Sequence, residues 1–209
     1  MEYKTITQDG SVEEEIKKSR FICHLKRVET EEEARAFIQH IKKEHYKANH
    51  NCSAFILGEN SQVKRSSDDG EPSGTAGVPM LGVLEALEVT NVVAVVTRYF
   101  GGIKLGAGGL IRAYAGSVSK AVQEIGRVQI KEQQGIRLVL SYPQYQDFTN
   151  FLKQNQLYEI DPQFTTQVTT EIFVDKEATQ NTIDQLTEFF QGKAQLEISD
   201  IREIEVPLI

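Results

Sequence analysis

Arg98 stands at the head of a segment whose residue types could hold an anion. From Val95 to Tyr114 the chain reads VVTRYFGGIKLGAGGLIRAY: an apolar run ending in Arg-Tyr-Phe, then a glycine loop, then a helical pattern. Glycine lets backbone N–H groups approach a ligand or another backbone closely. Gly101, Gly102, Gly106, Gly108 and Gly109 supply that freedom, a helix starts close behind them, and Arg98, Lys104 and Arg112 offer cations around it. Tyr99 and Phe100 are suited to stack on a base. The same glycines also suit close helix-to-sheet packing, as do Ala113, Ala115 and Gly116 on the next turns, and the Lys-Ser pair of a nucleotide phosphate loop is missing. Both readings, anion site and packing, stand at this point.

A second group is acidic. Asp68, Asp69 and Glu71 are the kind of carboxylates that hard cations prefer, but their spacing matches no known calcium loop. Asp69-Gly70 and Glu71-Pro72 read instead as turn chemistry with solvated charges, or as a salt bridge to the basic loop. His50 is either surface polar or ligand-facing. With His45 and Cys52 it makes three zinc ligands at most, and Cys52, on a predicted strand, reads as a small core residue. No metal or cofactor is expected, and without a GxSxG elbow a hydrolase triad has no support.

The elements that must position these residues follow from periodicity. SRFICHLKRV predicts a strand with Phe21, Cys23 and Leu25 on one face and Ile22, His24 and Lys26 on the other. A helix follows, with Thr30 and Glu33 at capping-box spacing and Ala34, Phe37, Ile38 and Ile41 on one stripe. Residues 50–58 predict a strand and 59–77 a long surface loop. Next come a helix carrying Pro79, Met80, Leu84 and Leu87, the buried strand NVVAVVTRYF, and a helix from Leu110 to Gly126. This alternation predicts a mixed sheet covered by helices. After a charged junction at 127–134, read as a linker, the order strand, helix, strand, strand, helix, strand is the ferredoxin-like βαββαβ motif.

The composition is that of an ordinary globular protein, with 40% hydrophobic and 25% charged residues in 209. No apolar run approaches the roughly 20 residues that span a bilayer, and the acidic, polar start MEYKTITQDGSVEEE does not resemble a signal peptide. The expected compartment is the cytoplasm, with Cys23 and Cys52 reduced. The net charge of −7 is unevenly placed. Residues 1–130 hold 17 basic and 17 acidic side chains, whereas residues 131–209 hold 6 and 13. A phosphate backbone would be repelled by the second part, so nucleic-acid contact is expected in the first.

Together, SSDDGEPSGTAGVPML and VVTRYFGGIKLGAGGLIRAY resemble the paired signatures of the IMPACT family, in its bacterial, YigZ-like branch. The resemblance covers roughly residues 15–125, and the remainder looks like the ferredoxin-like module of bacterial members. It implies an α+β fold in two domains. Residues 1–128 would form a domain of the type shared by a ribosomal protein, ribonuclease PH and the GHMP kinases. Residues 135–209 would form a ferredoxin-like domain similar to the last domain of elongation factor G. The resemblance also implies a link to translation and stress response: eukaryotic members are described as regulators of translation that block activation of an amino-acid-starvation kinase, and they carry an extra N-terminal recruitment domain. That domain has no counterpart in this sequence, so kinase inhibition is not carried over, and no catalytic residue transfers.

The expectation is a non-catalytic regulator or binding protein connected with translation. RNA, the ribosome or another anionic ligand would meet Arg98, Tyr99, Phe100, Lys104, Arg112 and the glycine loop, with Asp68, Asp69, Glu71 and His50 as a second patch. The alternative is an enzyme or sensor binding a small phosphorylated or nucleotide ligand at the same loop. A protein partner is expected for the acidic second domain, and no membrane.

Overall fold

Period-two alternation in the first half of the chain builds one antiparallel sheet. The computed structural model describes residues 2–208. The chain divides into two units: residues up to Ile130 together with those from Glu205 onward, and Lys131–Ile204. In the first unit the elements are β1 (Glu2–Ile6), β2 (Gly10–Ile16), β3 (Ser19–Arg27), α1 (Glu31–Glu44), β4 (His50–Leu57), β5 (Val63–Ser67), α2 (Gly77–Ala86), β6 (Val92–Tyr99) and α3 (Ala107–Ile125).

The sheet order is β2-β3-β6-β4-β5, with antiparallel ladders throughout. The alternation of strands and helices suggested a mixed sheet. Helix α1 does return the chain so that β3 and β4 point the same way, but β6 inserts between them and pairs antiparallel with both. Parallel pairing is found at the isolated bridge between Lys4 and Val89.

Each strand face has its own core. Phe21, Cys23, Leu25, Cys52, Ala54, Ile56, Val92, Ala94 and Val96 pack with Met80 and Leu84 of α2 and with Tyr114, Val118 and Val122 of α3. The opposite faces, through Phe55, Leu57, Val93 and Val95, pack on Ala34 and Ile41 of α1. Burying a large apolar side chain contributes about 2 kcal/mol, so these two stripes set the register.

Two segments read as irregular are ordered. The run 59–77 contains β5, whose Val63 to Ser67 pair with Leu57 to Ser53 of β4. Its polar side chains gave no alternation because an edge strand faces water. The junction 127–134 is likewise not a linker but the start of β7 (Arg127–Leu140), where Val128 and Ile130 are buried between charged and amide neighbours.

The second unit continues with α4 (Tyr142–Asn155), β8 (Glu159–Phe164), β9 (Val168–Val174), α5 (Thr179–Phe189) and β10 (Gln195–Pro207). Order β10-β7-β9-β8 is the split βαββαβ arrangement. Ile136, Leu138, Leu140 and Ile172 meet Phe148, Phe151, Leu152 and Leu186 of the two helices. Ser141 caps α4 through a reciprocal box with Gln144, which explains the sharp start after β7.

Candidate functional site

The end of β6 decides which side chains meet. Alternation puts Arg98 on the face of Val92, Ala94 and Val96, toward α3, and Tyr99 on the other face, toward α1. In register, Arg98 lies opposite His50 of β4 on one side and Phe21 of β3 on the other. His50, Arg98 and Phe21 therefore form a row across three strands, beneath the glycine loop.

Arg98 is 5% exposed and Glu71 8%. The guanidinium donates from Nη1 to Glu71 Oε1 at 2.6 Å, and Tyr114 Oη donates to the same oxygen at 2.7 Å. Phe21 and Phe100 each lie 5.5 Å from the guanidinium carbon. His50 donates from Nδ1 to the Asp69 carbonyl oxygen at 2.9 Å, which leaves Nε2 facing Glu71 Oε2 at 3.7 Å. The two sequence patches are thus one constellation. Arg98 is not a free cation, because Glu71 neutralises it in a buried pair.

The acidic turn is built, not solvated. Asp68 accepts from Gly74, Ala76 and Gly77 N–H at 2.8, 3.1 and 2.8 Å, and so caps α2 from eight residues upstream of Ala76. Burial works against its charge, but the three N–H groups outweigh that and hold the carboxyl below its ordinary range. Asp69 accepts from Asn51 N–H at 2.7 Å and from Lys42 Nζ at 2.6 Å. Its φ of +44°, followed by Gly70 at +88°, delivers Glu71 inward. Among the described residues no group of three or more His, Cys, Asp or Glu is placed to hold a metal ion.

His45 and Cys52 do not join His50 as a ligand set. Cys52 is fully buried, donates to the Asp68 carbonyl, and has its thiol pushed up to about 12, chiefly by burial. Burial also raises Tyr114, with Cys52 and Glu71 beside it adding to the effect. His45 sits across the sheet, where Nδ1 meets Tyr99 Oη at 2.9 Å. Tyr99 is therefore separated from the Arg98 site, while Phe100, 45% exposed, stays at its rim.

The glycines divide into two roles. A Cβ on Gly101 would lie 1.8 Å from the Lys18 carbonyl oxygen, so this residue is glycine for packing. Gly102 and Gly106 have φ of +86° and +72° with open space around them, so they are glycine for backbone shape. Gly106 precedes α3 and offers no side-chain cap. Among the described residues, the N–H groups from Gly102 to Gly109 find no acceptor within the protein, and most of these residues are exposed. A Cβ on Gly108 would lie 3.6 Å from Arg112 Nη1, which places that guanidinium over the first turn of α3.

These groups surround a cavity of about 430 Å3 lined by His50, Glu71, Arg98, Phe100, Lys104 and Gly106, among others. Its floor is the neutral Arg98–Glu71 pair, and its upper wall is the glycine loop with the N-terminus of α3. Such a wall carries a partial positive charge. Tyr114 and Ser19, which the sequence reading did not place in the site, bind Glu71 and the Gly101 N–H. Tyr114 was visible at helical spacing but only as core; Ser19 had no local signal.

The family described as "Impact N-terminal domain" matches residues 17–122, a span holding every one of these residues, and "Domain of unknown function (DUF1949)" matches 138–193. The chain belongs to the IMPACT family. Across 203 residues it is 45% identical to IMPACT family member YvyE of Bacillus subtilis (strain 168), covering 97% of this chain and 94% of that one. It is also 49% identical over 117 residues to IMPACT family member YigZ of Escherichia coli (strain K12), covering 55% and 57% of the two chains. The bacterial branch is thereby shown. A solved structure titled "Crystal structure of an hypothetical protein" shares 34% identity and a TM-score of 0.60, covering 95% of this chain and 98% of that one. No helix among the described residues of this IMPACT protein is long and apolar enough to cross a membrane.

Proposed function

We propose that this protein is a non-catalytic cytoplasmic binding protein connected with translation, and that its first unit takes an anionic group, a phosphate of RNA or of the ribosome, at the mouth of the Arg98 cleft. The observation that carries the reading is the run of unengaged N–H groups from Gly102 to Gly109 at the start of a 19-residue helix. Oriented N–H groups with a helix N-terminus behind them bind anions without further device. Lys104 and Arg112 flank them, and neither has an ion partner among the described residues. Arg98 and Glu71 serve as a rigid floor that holds β6, α3 and the acidic turn together. The connection with translation rests on the family. The acidic excess of the second unit supports a protein partner there and disfavours a phosphate backbone.

Co-sedimentation of the full chain with ribosomes tests the reading at about 50 and about 200 mM salt, between which phosphate contacts lose orders of magnitude in affinity. The expected result is pelleting at the lower salt, lost at the higher, and reduced at the lower salt by Lys104→Glu. Absence at low salt, or binding indifferent to both salt and Lys104→Glu, contradicts it. The cleft volume favours a second reading, a small phosphorylated ligand, since it falls within the size of small-molecule sites. That reading requires a thermal shift with one member of a nucleotide panel.

A further inference from the structure

The hairpin joining β2 and β3 has a turn made of two lysines. Ile16 and Ser19 close the ladder, so Lys17 and Lys18 form a two-residue loop, and their φ angles are +48° and +65°. Two successive positive φ values define a type I′ turn, whose usual occupants are Asn-Gly because a Cβ is disfavoured there. Lysine at both positions is the opposite of what backbone preference selects. The two lysines therefore hold positive φ at a cost that Asn-Gly would not carry.

This turn is fastened to the glycine loop. The Lys18 carbonyl lies against Gly101 so closely that no side chain fits between them, and Ser19 Oγ accepts from Gly101 N–H at 3.2 Å. Both lysines are exposed and without an ion partner among the described residues. Of the nearby carboxylates of β2, Glu13 is held by Arg20 and Glu14 by Ser117 and Lys120, while Glu15 is exposed to solvent. Along one continuous surface lie a dilysine turn, an exposed Phe100 whose ring is held against Arg98, and the open N–H groups beside Lys104.

We infer that Lys17 and Lys18 form a second phosphate subsite, and that the ligand is therefore a single-stranded polynucleotide, not a mononucleotide or a free phosphate. The inference rests on the anion-binding reading of the cleft. One phosphate would sit at α3 and a neighbouring one at the turn, with a base on Phe100 between them. An exposed aromatic face can stack only on an unpaired base, which selects single strands over duplex.

The test replaces the turn by the pair that its backbone prefers. Lys17→Asn with Lys18→Gly removes both charges while relaxing the hairpin, so the full-length variant is expected to melt no lower than the parent. Fluorescence anisotropy with a labelled RNA of about 12 nucleotides, and DNA of the same sequence, is read across a salt series. The double variant is expected to bind RNA about tenfold more weakly at low salt and to lose about 1.4 from the slope of log affinity against log salt, the share of two single-strand phosphate contacts. Unchanged affinity and slope overturn the second subsite. Pyrophosphate binding that Lys104→Glu abolishes, with RNA binding that ignores the turn variant, keeps the cleft and overturns this inference. Absence of binding to both pyrophosphate and RNA overturns the two together.

Discussion

Arg98 is the residue whose role the fold changes most. Read as a free cation beside a glycine loop, it is buried and paired with Glu71, and removing one partner leaves the other charge uncompensated. Arg98→Ala is expected to lower unfolding free energy in urea by about 3–5 kcal/mol, whereas Arg98→Met with Glu71→Leu recovers part of the loss, since the buried Tyr114 hydroxyl then lacks its carboxylate acceptor. A double variant no more stable than the single one would contradict the pairing. Gly101→Ala should be as damaging, since its Cβ meets backbone at Lys18 and Ser19, not a movable side chain. At Cys23 and Cys52, buried thiols raised above their ordinary range should not react with a thiol reagent at pH 8 until the protein is unfolded, which a colorimetric thiol titration reads. Cys52 as core was legible from its strand; the split of Arg98 from Tyr99 was not taken from the alternation of that strand, and the two were placed in one group. Burial of Glu71 was not, because its burial depends on Arg98 and Tyr114, 27 and 43 residues away.

Among the elements, α2 depends on a cap supplied from outside itself. Asp68→Ala frees three N–H groups and should cost about 2 kcal/mol. Because the Asp68 carboxyl lies below its ordinary 3.8 in the folded state, its contribution is present above that value and is lost as pH falls through the lower one. The packing of α1 on the sheet has the opposite chemistry. Burial, with His45 5.0 Å away, lowers His24 from 6.5 to about 4, so the unfolded chain takes up a proton between these values that the folded chain refuses. Stability should therefore fall as pH drops from 6.5 toward 4. Melting temperature followed over this range should decline, and less steeply in His24→Gln; equal slopes would contradict the account. Helices α1 and α3 were legible in the sequence because each carries an apolar stripe. Strand β5 was not, since its edge position leaves polar side chains on both faces; at the start of β7 the alternation of Val128 and Ile130 with polar neighbours was present, but the charged and amide side chains around it were read as a junction.

For the whole molecule, the sequence showed two units and their unequal charge, because composition sums over surfaces that neither fold nor register alters. It left a salt bridge between the acidic turn and the basic loop as one of two alternatives, and only the pairing of β4 with β6, which sets His50 opposite Arg98, makes them one site. What emerges is a rigid, charge-neutral floor beneath a loop of open N–H groups in an IMPACT-family protein, with unpaired cations at its edge. The central claim is that this loop receives an anion. Titration of the 15N-labelled full chain with a phosphate-bearing ligand, followed by amide chemical shifts, tests it most directly. The largest shifts are expected on the amides from Gly102 to Gly109; saturable binding that leaves those amides unmoved would place the anion elsewhere.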